Sequence, residues 1–343
     1  MGGAWLTGGL EALATETGWD PASAEYVVGT SAGSMMGGLL SSGVPPWFMV
    51  AHSEGRTFEG LVGVDGRPQG TADRAAGASF RFERALPRVG PGSWQLIARS
   101  LTAPRLHRPP ALLAGWLPQG VISTEPLKDT IRRVVPSGWT DHPNFWAVAC
   151  DYSTGRRVAF GREDAPPAEM ADAVAASCAI PGFYRPVKIG GRRYVDGGLW
   201  STSNLDILRD TGLDLVICLN PTSSLHPPFA WNPVERAAGA MRALSGRRLG
   251  SERKKLRATG TEVVLVQPTP EDHAAMGPNL MSRQNLNPVI RTAIRTVREQ
   301  LRADGVRQFL EDLPEGEPHR IREPDGPPSE WPETLPGVRR RAA

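Results

Sequence analysis

The chain has 343 residues, 40% hydrophobic and 22% charged, enough for one large α/β domain or two smaller ones around an ordinary packed core. Lys and Arg number 39 against 36 Asp and Glu, and the net charge of +3 is too small to point to a nucleic-acid partner. The three cysteines, Cys150, Cys178 and Cys218, stand in no C-x-x-C pair, so neither a disulfide framework nor a cysteine metal site is expected.

No apolar run approaches about 18 residues, so no transmembrane helix is predicted. The first residues, MGGAWLTGG, lack a basic leader region, and a reducing, cytoplasmic setting is expected. In chain order, Ala4 to Ala14 reads as a helix with Trp5, Leu6, Leu10 and Leu13 on one side. Tyr26 to Val28 reads as a short buried strand, and Ser31 to Leu40 as a helix of small residues. Pro45-Pro46 starts another helix near Trp47.

The stretch 58–120 is rich in Gly and Pro, with scattered Trp94, Leu96, Ile97, Leu112, Leu113 and Trp116. It reads either as an irregular surface insertion or as a cap over an apolar cleft. Order returns with a helix at Pro126 to Val135, a strand at Phe145 to Asp151 and a partner strand at Arg157 to Gly161. A helix at Ala168 to Ser177 leads into Cys178-Ala-Ile-Pro-Gly182. Arg192 to Val195 is a strand ending in Asp196-Gly197-Gly198.

Leu213 to Leu219 and Glu262 to Val266 are near-continuous Val, Ile and Leu, as strands covered on both faces require. Helices are expected at 230–257 and 285–312. The alternation implies a three-layer α/β/α fold with a mostly parallel sheet. One domain over 1–313 is expected, followed by a Pro-, Glu- and Arg-rich tail over 314–343 that reads as disordered.

Gly29-Thr30-Ser31-Ala32-Gly33 is G-x-S-x-G, with a strand before it and a helix after. In that setting a serine is pushed out at a sharp strand-to-helix turn, with the free N–H groups of the helix start nearby. The crowding of such a turn predicts that Gly29 and Gly33 must both be very small. A serine hydroxyl needs a proton acceptor. Of His52, His107, His142, His226, His273 and His319, only His226 and His273 follow predicted strands. The order Ser31, Asp196, His226 is one possible triad. The other reading has Asp196 acting directly, its carboxylate brought close by the turn at Gly197 and Gly198. Asp-Gly is also a strong turn dipeptide in its own right.

Taken together, GTSAGS at the elbow and ASCAIPGFYRPVKIGGRRYVDGGLWSTSN over 176–204 resemble the patatin-like phospholipase family. The second block carries Ser177-Cys178-Ala179-Ile180-Pro181, the Asp-Gly-Gly and Asn204. The resemblance covers about 1–55 and 120–300. It implies a Ser-Asp dyad with Ser31 as nucleophile and Asp196 as general base, a phospholipid or other acyl-lipid substrate, and no metal or cofactor. It also implies a glycine-rich loop after a first strand as the source of oxyanion N–H groups. Here Met1-Gly2-Gly3 matches only the end of that loop, which leaves Gly2 and Gly3 as the oxyanion candidates. Two readings of this terminus stand: a start upstream of Met1, or a chain without the first strand and weak in catalysis.

Three functions follow: a patatin-like lipid acyl hydrolase, a Ser-His-Asp esterase using His226, and a weakly catalytic member that binds lipid or protein. Peripheral membrane contact is expected through the 58–120 insert with Trp94 and Trp116. The basic stretch 235–257, with Arg236, Arg242, Arg247, Arg248, Arg253, Lys254, Lys255 and Arg257, reads as a second lipid-facing candidate or as a solvated face.

Overall fold

The computed structural model describes residues 1–55, 61–63, 82, 90–102, 109–223, 233–277, 279, 282, 286–316 and 338–340. Helix α1 (Gly2–Thr17) leads to strand β1 (Val27–Thr30), then helices α2 (Ala32–Ser41) and α3 (Pro46–Ser53). Strand β2 (Leu61–Gly63) and helices α4 (Trp94–Thr102) and α5 (Pro109–Trp116) lie within the Gly- and Pro-rich stretch. Next come α6 (Glu125–Arg132), β3 (Phe145–Asp151), β4 (Arg157–Phe160), α7 (Met170–Ser177), β5 (Val187–Ile189) and β6 (Arg192–Asp196). The remainder is β7 (Leu215–Leu219), α8 (Pro233–Arg257), β8 (Glu262–Val266), α9 (Pro270–Met276), α10 (Leu286–Leu301), α11 (Asp304–Arg307) and β9 (Val338–Arg340).

The α/β class is as expected, and β3 and β8 fall on their predicted limits. The helix expected over 285–312 is two, α10 and α11, because Ala303 is extended and caps the second. Part of the 58–120 insert is among the described residues. It contains α4 and α5, and β2 pairs antiparallel with β9 from the tail. The rest of the 314–343 tail beyond residue 316 lies outside the described residues, as does His226.

The chain forms two compact units. One comprises Met1–Ala24, Pro45–Arg56 and Thr202–Gly326; the other comprises Glu25–Val44, Thr57–Ser201 and Pro327–Ala343. In the first, β7 and β8 pair in parallel. There α1 packs along α10, so closely that a side chain at Gly8 would run into the Ile290 carbonyl. A capping box between Thr269 and Asp272 starts α9, and the buried Asp272 also accepts from the Thr296 hydroxyl at 2.8 Å.

The second unit is built on β3, whose seven residues FWAVACD are all buried. Each large apolar side chain so placed contributes about 1.5–3 kcal/mol. Small residues on α2 let that helix lie close to β3: a Cβ on Gly38 would press on Met170 and Phe145. The sheet is mixed. β1 runs parallel to β3, while β4 and β6 run antiparallel to it and β5 antiparallel to β6.

The register decides where the strand ends fall. Val148 pairs with Thr30 and with Ala159, and Ala149 pairs with Asp196 and with Val158. A strand residue has two flanks, and β4 occupies one of them continuously. Strands β1 and β6 therefore share the other flank, running head to head. Their C-terminal ends, Thr30 and Asp196, arrive at adjacent residues of β3.

Candidate active site

Ser31 follows β1 directly and caps α2 with φ 54° and ψ −123°. This is a left-handed conformation that a residue with a side chain adopts at a cost of about 1–3 kcal/mol. Three contacts hold it there. The Ser31 N–H donates to Ser177 Oγ at 2.9 Å, and the Ser177 hydroxyl donates to the Val148 carbonyl at 2.6 Å. The Ser31 carbonyl accepts the Ser34 hydroxyl at 2.7 Å.

Gly29 is glycine for a steric reason. A Cβ there would sit inside the Gly33 carbonyl and the Ser34 N–H. Gly33 corrects the sequence reading, because a Cβ on it would meet nothing within 4 Å among the described residues. Among the described residues the crowding of the turn is one-sided: the strand residue faces the helix backbone, while the helix residue meets no such neighbour. Thr30 and Ala32 flank the serine, half-buried like it. No acceptor meets the N–H groups of Ala32 and Gly33 among the described residues, as expected for the first turn of a helix.

Asp196 ends β6 with its carboxylate buried, the residue being only 6% exposed. Its own N–H donates to the Ala179 carbonyl at 3.0 Å, tying it to the Ser177–Pro181 loop. The Asp-Gly-Gly stretch is not a hairpin. Asp196 caps a short 3₁₀ turn, Gly197–Leu199, and Gly198 N–H donates to Asp196 Oδ1 at 2.7 Å. A Cβ on Gly197 would run into the Val148 carbonyl. The Val148 carbonyl is thus where β3, the Ser177 hydroxyl and the Asp-Gly-Gly turn meet.

The Ser31 side chain lies beside the Asp196 carboxyl and favours its charged form. Burial pushes that carboxyl up from 3.8 to about 6, against the opposing pull of the Gly198 N–H and the Ser31 hydroxyl. Cys178 lies on the same side. Its thiol is pushed up to about 12, by burial first and by the Asp196 charge second, and it also contacts the Ser31 side chain. At neutral pH this thiol stays protonated.

Ser31 and Asp196 therefore come together within one compact unit, along with Ser177 and Cys178. Gly2 and Gly3 form the first turn of α1, in the other unit. His273 lies in α9 of that unit, buried and pushed down to about 4 by burial and the nearby Arg242 charge. The serine-bridging role of Ser177 is absent from the sequence reading. Its only trace there is the Ser-x-Ala-Ile-Pro pattern, which marks the loop without saying what its first hydroxyl holds.

The family model described as patatin-like phospholipase matches residues 1–209, a span that includes the elbow, the Ser177–Pro181 loop and the Asp-Gly-Gly turn. The chain belongs to the patatin-like phospholipase family, a family of lipid acyl hydrolases.

Proposed function

We propose that this protein hydrolyses acyl esters of phospholipids or related lipids with Ser31 as nucleophile and Asp196 as its base. The Ser31 side chain beside a buried carboxyl raised to about 6, at the adjacent ends of β1 and β6, carries the reading. A base is most useful when its pKa lies near the working pH, ionised yet still basic. An ordinary surface aspartate is too weak a base for this task.

The steps follow from the geometry. Ser31 Oγ attacks the ester carbonyl carbon while its proton passes to Asp196. The tetrahedral intermediate collapses, the alkoxide leaving group takes that proton and departs as the alcohol, and an acyl-Ser31 ester remains. Water then gives a proton to Asp196 and attacks the acyl carbon. Ser31 leaves, recovers the proton, and the fatty acid is released. Negative charge on the carbonyl oxygen is assigned to the Ala32 N–H at the start of α2, where the helix dipole also favours it. Gly2 and Gly3 are the candidates the sequence offers for further donors. The strained Ser31 backbone is part of the same design, since it aims the hydroxyl off the strand and toward the Asp196 turn.

Lipid substrate implies contact with a bilayer or micelle surface. Among the described residues no helix is long and apolar enough to cross a membrane. The test is labelling with a fluorescent fluorophosphonate. The expected result is a label on the parent chain that is lost in Ser31→Ala and strongly reduced in Asp196→Asn. Persistent labelling of Ser31→Ala refutes the assignment.

A further inference from the structure

The helices of the 58–120 stretch show an unusual distribution of apolar side chains. In α4, Leu96, Ile97 and Ser100 face inward, as does Ser93 just before it, and Leu96 joins a buried cluster with Cys150, Tyr152 and Val195. The helix pair is fastened at several points. The Tyr152 hydroxyl donates to the Ala114 carbonyl at 2.8 Å, Gly92 N–H to the Leu117 carbonyl at 2.8 Å, and Arg193 to the Gly92 carbonyl at 3.1 Å. The other face carries large apolar side chains in the open. Trp94 is 64% exposed, Leu101 67%, Leu113 67% and Trp116 53%. The two indoles pack edge to face at 6.1 Å, both in solvent.

Charge adds an independent observation. From residue 84 to 124 the sequence carries Arg84, Arg88, Arg99, Arg105 and Arg108, of which Arg99 is the one among the described residues, and not one Asp or Glu. The net charge of the whole chain is only +3. Arg99 lies on the exposed side of α4, between Trp94 and Leu101. Position matters too. α5 packs against the Gly197–Leu199 turn beside Asp196, and Leu117 lies against Gly182 at the end of the Ser177–Pro181 loop.

We propose that the outer faces of α4 and α5 form a docking surface for anionic phospholipid bilayers, seated beside the Ser31–Asp196 site. Exposed apolar groups of this size mark interaction sites on soluble surfaces. Tryptophan settles at the headgroup level of a bilayer, and arginine adds attraction to anionic lipid. An exposed arginine set among aromatic and aliphatic side chains suits an anionic bilayer, whose headgroups attract it while the apolar groups enter the interface. The surface deepens the hydrolase reading and rests on it for its purpose, though not for its chemistry.

The probe is the full-length Ser31→Ala protein, sedimented with vesicles of phosphatidylcholine alone or mixed with phosphatidylserine. Preferential binding to the anionic vesicles is expected, weakening as salt is raised. Trp94→Ser/Trp116→Ser should lower partitioning by at least about tenfold, and Arg99→Gln by about fivefold on anionic vesicles only. Acyl-brominated lipid should quench tryptophan emission, and the conservative Trp94→Phe/Trp116→Phe should lose much of that quenching while still binding. Equal sedimentation of the parent and the double Ser variant, at equal thermal midpoints, overturns the proposal. A dimer broken by the double variant, with no vesicle binding, overturns it as well.

Fluorophosphonate labelling of the wild-type chain without lipid reads the dyad separately. Labelling without vesicle binding removes the docking surface and leaves the hydrolase. Vesicle binding without labelling supports the surface and removes the hydrolase.

Discussion

Asp196→Asn should make the protein more stable at neutral pH while disabling it. The carboxyl is raised from 3.8 to about 6, so the folded state holds its proton more tightly than the unfolded chain does. Between those values the folded state binds more protons, and its stability falls as pH rises. Below 3.8 both states are protonated and the penalty is absent; above about 6 both are ionised and the penalty is complete. Roughly 2 pKa units at 1.36 kcal/mol each give a penalty of up to ~3 kcal/mol. Asparagine keeps an oxygen for the Gly198 N–H and carries no charge to desolvate. Denaturant unfolding of the parent and Asp196→Asn at several pH values from 3 to 8 checks this. The variant should gain on the parent as pH rises through 4 to 6 and hold a constant advantage above that. A difference that does not change with pH, or a variant less stable than the parent at pH 8, refutes the reasoning that burial raises this carboxyl.

The rate of fluorophosphonate labelling should fall as pH drops through about 6, because only ionised Asp196 accepts the Ser31 proton; a flat profile from pH 5 to 8 would count against it as the base. Ser177→Ala leaves the Ser31 N–H without its acceptor, which should cost about 1–3 kcal/mol in unfolding free energy. The same variant should label several-fold more slowly while keeping its pH profile. Gly29→Ala should fail to fold or lose labelling entirely, because its methyl would overlap the Gly33 backbone. Gly33→Ala should fold with an unchanged thermal midpoint. Replacing the buried Glu252, which accepts from Ser203 at 2.6 Å and Leu205 N–H at 3.0 Å and pairs with Arg248, by Ala should cost about 3–5 kcal/mol.

Much of this molecule is legible without coordinates. The runs FWAVACD and EVVLV read as buried strands because continuous apolar β-formers allow little else. Gly29 before the serine and the Asp-Gly-Gly at the end of β6 are equally visible, and at Gly29 and Gly197 backbone crowding leaves only glycine. These are local rules: a few residues, one steric or periodic constraint, one outcome. Even so, Gly33 shows their limit. Its pattern position suggests the same crowding as Gly29, and only the direction of its missing side chain shows otherwise. Helices α4 and α5 were hidden for a related reason, being short and set among the Gly and Pro that mark loops.

The meeting of Ser31 and Asp196 belongs to another level. It depends on β1 and β6 sharing one flank of β3 and stopping at Val148 and Ala149. Slipping either pairing would carry Ser31 and Asp196 apart. Register between distant strands is set by which faces are buried throughout the sheet, a non-local sum that no window of sequence contains. The same holds for Ser177, whose hydroxyl is an ordinary helix-end group until tertiary packing places it between the Ser31 N–H and the Val148 carbonyl. The sequence by itself determined which residues are fit for the chemistry, because fitness of that kind is a property of side chains and turns. The tertiary structure decided that Ser31 and Asp196 come together, and that Asp196 is buried deeply enough for its carboxyl to be raised.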